Sequence, residues 1–176
     1  MARLFVAVWP SGETLQALAS LPRPQAPGVR WTTREQWHVT LRFLGRVSDV
    51  QQVADALASV RGDATEAVLG PSVEHFGWRV LQVPVRGLEA LAGQVAGATA
   101  HLEEHRPGDG DRTERGFSGH VTLARIRPSH RAPPEVKAVV GAGVSGSWRA
   151  EEFCLVESHT LPTGARYEVL ERYPVA

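Results

Sequence analysis

The sequence has one cysteine, one lysine and no long hydrophobic run. A lone Cys154 cannot form an internal disulfide, which is typical of a protein from a reducing compartment. No stretch approaches the roughly 20 apolar residues needed to span a bilayer. The apolar run from Leu4 to Trp9 is also too short for the core of a signal peptide. We therefore expect a cytoplasmic protein without a membrane partner.

The sequence also lacks an excess of either charge. Its 19 basic residues balance 19 acidic ones, so no overall positive field exists to hold long nucleic acid non-specifically. Any site for an anion must be local. There is no GxGxxG, no GxxxxGK[ST] and no paired CxxC, so nucleotide cofactors and structural zinc have no support. With 176 residues, we expect one domain, residues 1–176, without a cofactor.

The pattern of apolar residues and turn signals predicts the order β-α-β-α-β-β-α-β-α-β-β. Strands mixed with hairpins and helices favour an α+β fold with antiparallel sheets over a doubly wound parallel sheet. The predicted strands cover 3–9, 37–44, two or three segments of 66–86, 119–126, 147–158 and 166–173. The predicted helices run from Ser11 to about 21, from 48 or 49 to about 60, from 88 to about 105, and from 133 to about 140.

The most informative feature is an internal repeat. The tetrapeptide His-Val-Thr-Leu occurs at 38–41 and again at 120–123, 82 positions later, and each copy lies in a predicted strand. Residues i and i+2 of a strand point to the same side. Each copy therefore projects an imidazole and a hydroxyl together, His38 with Thr40 and His120 with Thr122. We expect the two pairs to face one cleft in a pseudo-twofold arrangement.

Two imidazoles and two hydroxyls suit a reaction that moves one proton on and one proton off. Imidazole has an unperturbed pKa of about 6.5, which allows both tasks near neutrality. Threonine hydroxyls can donate hydrogen bonds to the non-bridging oxygens of a phosphate. In-line attack at phosphorus, with a base and an acid on opposite sides, matches this symmetry. No carboxylate cluster accompanies the histidines, so we expect no metal.

The paired motifs resemble those of the 2H phosphoesterase superfamily. The opening RLFVAVWP, the run HVTLRFLGRV, the second motif HVTLAR and the ending LVESHTLPTGARYEVLERYPV are similar to the RNA 2′,3′-cyclic phosphodiesterases, the LigT/ThpR group once called 2′-5′ RNA ligases. The resemblance spans essentially the whole chain. One departure precedes the second motif, where residues 116–119 (GFSG) replace a more usual approach containing proline.

The resemblance implies a bilobal α+β fold in which two antiparallel β-sheets flank a central cleft, with the helices outside. It implies metal-independent hydrolysis of RNA 2′,3′-cyclic phosphate ends to 2′-phosphates, and reversible 2′-5′ RNA ligation as a further reaction. It further implies that His38 is the proton donor, that His120 is the proton acceptor, and that Thr40 and Thr122 bind phosphate oxygens. The repeat itself is symmetric and does not distinguish the two histidine roles. The implied substrates are RNA ends or small cyclic nucleotides, and nothing in the sequence demands a protein partner or more than a monomer.

Arg125 ends the second motif and resembles a residue that this family places near the phosphate. Five positions separate it from His120, so regular alternation would send it to the opposite face, and a bulge or a strand end is required to bring it back. Arg42 lies four positions after His38, so regular alternation places both side chains on the same side of the strand. Arg42 could then face the cleft or the solvent. Aromatic and loop residues remain open as contacts to a base or to the RNA backbone: Trp31, Phe43, Phe117, Arg112 and Arg115.

Two other functions are compatible with the sequence. A non-catalytic module for RNA ends or nucleotides could keep the same cleft without turnover. A zinc hydrolase could use His101 and His105, since residues 101–105 (HLEEH) match the H-x-x-E-H pattern with both histidines on one helix face. No downstream carboxylate is identifiable as a third zinc ligand, so a solvated helix end is the favoured interpretation.

Overall fold

The computed structural model describes residues 1–102 and 116–176. Within these residues the chain forms strands and short helices in the order expected of an α+β protein. The strands are β1 (Ala2–Val8), β2 (Val29–Trp31), β3 (Val39–Val47), β4 (Thr65–Leu69), β5 (Glu74–Phe76), β6 (Val80–Arg86), β7 (His120–Ile126), β8 (Gly146–Ala150), β9 (Glu152–Leu161) and β10 (Gly164–Pro174). The α-helices are α1 (Gly12–Ala19), α2 (Val50–Ala58), α3 (Glu89–Thr99) and α4 (Pro134–Lys137).

Polar side chains fix where the first two helices begin. Ser11 caps α1, its hydroxyl accepting a hydrogen bond from the backbone N–H of Thr14 at 3.3 Å. Asp49 caps α2 in the same way, accepting from the backbone N–H of Gln52 at 3.0 Å. Each cap satisfies one of the backbone N–H groups left open in the first helical turn. The predicted starts of both helices are therefore confirmed.

All paired strands are antiparallel, and they follow the order β10-β9-β1-β3-β7-β6-β4-β8. Strand β2 adds to β7 and strand β5 adds to β6. The predicted antiparallel α+β fold is confirmed. The two expected sheets are joined into one curled sheet, because the single pair Val39–Val121 connects β3 with β7. We call the strands on the β3 side (β1, β3, β9, β10) the His38 wing and the remaining strands the His120 wing.

The two faces of the sheet have different coverings. One face carries all four helices over the main hydrophobic core, which includes Leu18, Leu57, Val95 and Val136. The other face carries no α-helix among the described residues, and its small second cluster centres on Phe5. We call this second face the open face. None of the described helices has both the length and the apolar character needed to cross a membrane.

Residues 66–86 contain three strands, the larger of the two numbers that the sequence predicted. Two strand predictions differ from the structure. Strand β2 was not predicted, because its three residues are too few to show alternation. The strand predicted at 147–158 is two strands, because the chain turns at Glu151 and leaves β8 in one wing and β9 in the other. The predicted loop that contains Arg112 and Arg115 lies outside the described residues.

Candidate active site

The two His-x-Thr motifs lie side by side where the wings meet. His38 immediately precedes β3 and His120 begins β7, and the valines that follow them form the pair joining the wings. Thr40 pairs with Ala7, which belongs to the cluster of the open face. Thr122 pairs with Gln82 of β6 on the same face. The sheet topology therefore brings both motifs to the open face.

A matching β-bulge follows each motif. In β3, Thr40 pairs with Ala7 and Arg42 with Val6, which leaves Leu41 as the extra residue. In β7, Thr122 pairs with Gln82 and Ala124 with Leu81, which leaves Leu123 as the extra residue. A bulge inserts one residue and so reverses the alternation beyond it. The internal repeat thus extends past the tetrapeptide to the local backbone geometry.

The bulges decide which later side chains reach the open face. Arg125 turns to this face because the extra residue Leu123 reverses the alternation, and its charge acts on both imidazoles. Phe43, three positions after Thr40, turns to the same face and lies 6.2 Å from Phe5 between ring centroids. Arg42 turns away, and its guanidinium donates to the backbone carbonyl of Ala96 in α3. Of the two positions that the sequence left open for Arg42, the cleft is therefore wrong, because the parity argument for it ignored the bulge.

Each imidazole is oriented by a backbone carbonyl two residues earlier. The Nδ1 of His38 lies 2.7 Å from the carbonyl oxygen of Gln36, and the Nδ1 of His120 lies 2.8 Å from that of Ser118. A carbonyl can only accept, so each Nδ1 carries a hydrogen. In the neutral ring, Nε2 is then the basic atom. In His38 this atom lies 3.1 Å from the Oγ1 of Thr40.

Aromatic rings surround His38. Its ring centroid lies 4.9 Å from that of Phe5, 5.0 Å from that of Tyr167 and 5.5 Å from that of Trp9. Burial among these rings disfavours the imidazolium and lowers the pKa of His38 to about 4, although the Gln36 carbonyl acts in the opposite direction. The charges of His120 and Arg125 lower it further. Free His38 is therefore neutral at pH 7.

His120 has a similar but less enclosed environment. Phe76 of β5 stacks on its ring at 5.7 Å between centroids and with 17° between planes. Burial lowers the pKa of His120, the Ser118 carbonyl opposes the shift, and the Arg125 charge adds to it. Both imidazoles are therefore neutral bases at pH 7 until an anion enters the site.

A hydrogen-bond clamp connects the first motif to the bulge of the second. The hydroxyl of Thr32 lies 2.8 Å from the carbonyl oxygen of Thr122 and 2.9 Å from that of Leu123, and it donates to this pair. The indole N–H of Trp37, the residue before His38, donates to the same hydroxyl at 2.9 Å. Trp37 is 1% exposed. The clamp therefore fixes the bulge that aims Arg125 relative to His38.

We expect Thr32→Val to damage both stability and catalysis. The isosteric valine removes the hydroxyl from the Thr122 carbonyl and from the Trp37 N–H, which costs about 1–3 kcal/mol of unfolding free energy. The Leu123 carbonyl keeps its bond from the backbone N–H of residue 32. A shift of about 1 Å in the bulge lowers catalysis by up to about 10²-fold. Thr65→Val is the matched control, because it removes a similar bond to the carbonyl of Gly87. Denaturant unfolding of both variants, together with their turnover of a phosphodiester, checks this; equal turnover in the two variants would contradict a positioning role for Thr32.

The approach to the second motif depends on a glycine. A Cβ at Gly119 would collide with the backbone oxygen of Val85 on β6 and would press on the ring of Phe117. The carbonyl of Gly119 accepts from the N–H of Val85 at 2.8 Å. The GFSG segment therefore reaches His120 by close backbone approach.

The aromatic side chains considered as contacts to a base differ in their exposure. Trp31 is partly buried and its indole N–H donates to the carbonyl of Pro24, and Phe117 is partly buried against the main core. Phe76 is 49% exposed and stacks on His120. Phe43 is 63% exposed and neighbours Phe5, whose ring contacts His38. Sequence reasoning missed Phe76, because β5 is only three residues long.

A buried glutamine beside Thr122 was also missed. Gln82 is 5% exposed and lies opposite Thr122 in β6, and its side-chain oxygen has no hydrogen-bond partner among the described residues. The only signal in the sequence is a polar residue within the apolar run of 80–85.

The candidate metal ligands lie away from the two motifs. His101 falls in a single 3-10 turn after α3, whereas residues 103–105 of the HLEEH pattern lie outside the described residues. His159 pairs with Glu168 at 3.1 Å and lies 3.8 Å from Glu157. This group of three could hold an ion. However, Glu157 pairs with Leu4 of the main core, which places the group on the face opposite to His38.

Comparisons with known proteins agree with this geometry. The family model of LigT-like phosphoesterases matches residues 8–70, which include the first motif. An RNA 2′,3′-cyclic phosphodiesterase of Thermus thermophilus is 29% identical over 97% of this chain and 89% of its own. A crystal structure of a protein from the same organism superposes with a TM-score of 0.77 at 29% identity, covering 98% of this chain and 97% of that one.

Two structures of E. coli LigT share the fold at lower identity. The apo form superposes with a TM-score of 0.72 at 23% identity, covering 99% of this chain and 97% of that one. The complex with 3′-AMP superposes with a TM-score of 0.73 at 23% identity, covering 99% and 98%. The resemblance to the 2H phosphoesterases that the motifs indicated is therefore confirmed.

Proposed function

We propose that this protein hydrolyses RNA 2′,3′-cyclic phosphodiester ends to 2′-phosphomonoesters, with His38 and His120 as general acid and base and without a metal. The observation that carries the proposal is the pair of His-x-Thr motifs on one sheet face, each with its imidazole Nδ1 held by a backbone carbonyl. The name of the Thermus relative supports the same substrate.

The histidines act from opposite sides of phosphorus. His120 accepts a proton from water through Nε2, and the oxygen of that water forms the new bond to phosphorus. The bond from phosphorus to the ribose 3′ oxygen breaks, and His38 donates its Nε2 proton to that oxygen. The 2′-phosphate remains on the ribose, and the proton balance closes between the two imidazoles. The assignment of acid to His38 and base to His120 follows the resemblance.

The negative charge of the substrate favours the protonated form of His38. The neutral ring of the free protein cannot act as an acid, because burial lowers its pKa to about 4. A cyclic phosphodiester brings one negative charge, and an opposite charge at 4–6 Å raises an imidazole pKa by about 1–3 units. Binding and protonation of His38 are therefore coupled.

The remaining polar groups stabilise the phosphate. The hydroxyls of Thr40 and Thr122 donate to the non-bridging oxygens, whose charge grows during the attack. Arg125, directed to this face by the bulge at Leu123, adds a positive charge on the same side. With a 5′-hydroxyl in place of water as the nucleophile, the same two proton transfers in the same direction would form a 2′-5′ linkage.

Incubation with an oligonucleotide ending in a 2′,3′-cyclic phosphate, in excess EDTA, tests the proposal. Formation of the 2′-phosphate despite chelation supports metal-independent hydrolysis. Tight binding without product would favour the alternative, a non-catalytic module for RNA ends. Activity lost in EDTA and restored by zinc would favour a metal hydrolase. Sedimentation of the active protein tests the monomer that we propose.

The exposed aromatic rings offer platforms for a nucleobase. Phe43 extends the open face beyond Phe5 on the His38 side, where the terminal ribose and its base would lie. A ring that is 63% exposed contributes little to the core but much to a stacked base.

We expect Phe43→Ala to weaken substrate binding and to leave the protein stable. Stacking of one base on an aromatic side chain contributes about 1–3 kcal/mol, so KM should rise by roughly 5-fold or more with a smaller effect on kcat. Leu161→Ala, at a residue 44% exposed in the β9–β10 hairpin, is the control for loss of exposed apolar area. Steady-state kinetics with the cyclic-phosphate oligonucleotide measure KM and kcat for both variants. An unchanged KM in Phe43→Ala would contradict stacking of the base on Phe43.

A further inference from the structure

Two arginines lie directly opposite each other beside the candidate active site. Arg30 of β2 pairs with Arg125 of β7, so both side chains project from the open face. Like charges in directly opposite positions destabilise a sheet. Within the described part of the chain, neither guanidinium has an acidic partner in an ion pair. An arrangement of this kind gains stability when an anion lies between the two groups.

The structure holds Arg30 in a defined position. Its guanidinium crosses the backbone at Gly164, the first residue of β10, and a Cβ there would collide with it. Gly164 is buried beneath this side chain and has φ +132°, a conformation that glycine adopts readily. Arg30 therefore reaches from the His120 wing across to the β9–β10 hairpin of the His38 wing.

Arg30 lies on the side of the site where the RNA chain must continue. Strand β7 pairs with β6 along one edge, and with β3 and then β2 along the other. Arg30 is therefore on the same edge of β7 as His38. If His38 protonates the departing 3′ oxygen, the terminal ribose lies toward this edge, and so does the phosphate on its 5′ oxygen.

We propose that Arg30 binds the phosphodiester that joins the terminal nucleotide to its 5′ neighbour, with Arg125 lying between this phosphodiester and the scissile phosphate. The inference rests on the proposed function, and it makes the preferred substrate an oligonucleotide end rather than a cyclic mononucleotide. Two guanidinium groups match the geometry of a phosphate through paired N–H donors. The bound phosphate also removes the repulsion between Arg30 and Arg125.

Binding of two reaction products tests the inference. One ligand is a dinucleotide with a 2′-phosphate end, which keeps the inner phosphodiester, and the other is the nucleoside 2′-monophosphate, which lacks it. Wild type should bind the dinucleotide more tightly. Arg30→Ala should lower dinucleotide affinity roughly tenfold and leave mononucleotide affinity unchanged. Loss of one phosphate contact should also reduce the slope of log affinity against log salt by about 0.7.

Two further variants sharpen the result. Arg30→Lys keeps the charge, so it should retain the salt slope. Arg131→Ala removes an exposed arginine outside the strands and should change neither affinity. Equal weakening of both ligands by Arg30→Ala, or no weakening of either, would overturn the inference. Because binding needs no turnover, failure of cyclic-phosphate hydrolysis would refute the proposed reaction independently of this result.

Discussion

Replacing His38 or His120 with alanine should each lower the turnover of a 2′,3′-cyclic-phosphate oligonucleotide by roughly 10²–10⁴. This range is the usual effect of removing a positioned general acid or base. Both rings lie on the open face rather than in the main core, so their loss should leave the folded state intact. Steady-state kinetics measure the effect, and thermal unfolding confirms that each variant is folded.

His159→Ala is the matched control. This histidine interacts with Glu157 and Glu168 on the opposite face of the sheet, and its loss should leave turnover unchanged. Near-normal rates in either His38→Ala or His120→Ala would contradict the mechanism. Comparable losses in all three variants would instead indicate a general effect of removing histidine.

An aryl phosphodiester separates the roles of the two histidines. A nitrophenolate leaves without receiving a proton, so the acid becomes unnecessary while the base is still needed. We expect His38→Ala to recover most of the wild-type rate on bis(p-nitrophenyl) phosphate and His120→Ala to remain slow. The opposite pattern would exchange the two assignments.

The sequence predicted the two motifs and their shared face, because a strand alternates with a period of two. It did not predict the bulges, although a signal was present. In the first motif the apolar residues that pack on the core side pass from Leu41 to Leu44, and in the second the adjacent residues Leu123 and Ala124 both pack there, followed by Ile126. A break of this kind in the period of two indicates an inserted residue. Reading that break would have placed Arg42 correctly.

Other parts of the site arise from contacts distant in the chain. The Thr32 hydroxyl is 90 positions from the Thr122 carbonyl that it contacts. Phe76 reaches His120 through a short hairpin, and Arg30 reaches Gly164 across both wings. No periodicity within a single strand encodes such pairs. They depend on the pairing of β2, β5 and β7, which only the complete sheet defines.

The protonation states of the free protein determine how its activity depends on pH. Burial lowers the pKa of His38 to about 4, and it lowers the pKa of His120 below the ordinary imidazole value. A lowered pKa means that the proton is bound only at lower pH. Above pH 6.5 both rings of the free protein are therefore mostly neutral, which suits a base at His120 and leaves only a small fraction of His38 in the acidic form.

We therefore expect kcat/KM to fall about tenfold per pH unit between pH 6.5 and 8, because this parameter reports the free protein and the protonated fraction of His38 falls tenfold per unit. At low pH, protonation of His120 should lower kcat/KM again, so the complete profile is bell-shaped. The kcat profile reports the bound state, in which the negative phosphodiester raises the pKa of His38, so its alkaline limb should lie at higher pH. Initial rates with the cyclic-phosphate oligonucleotide from pH 3.5 to 8.5 measure both profiles. A kcat/KM that stays level from pH 6.5 to 8 would mean that no buried imidazole has to carry a proton when substrate binds, and the acid role of His38 would then be wrong.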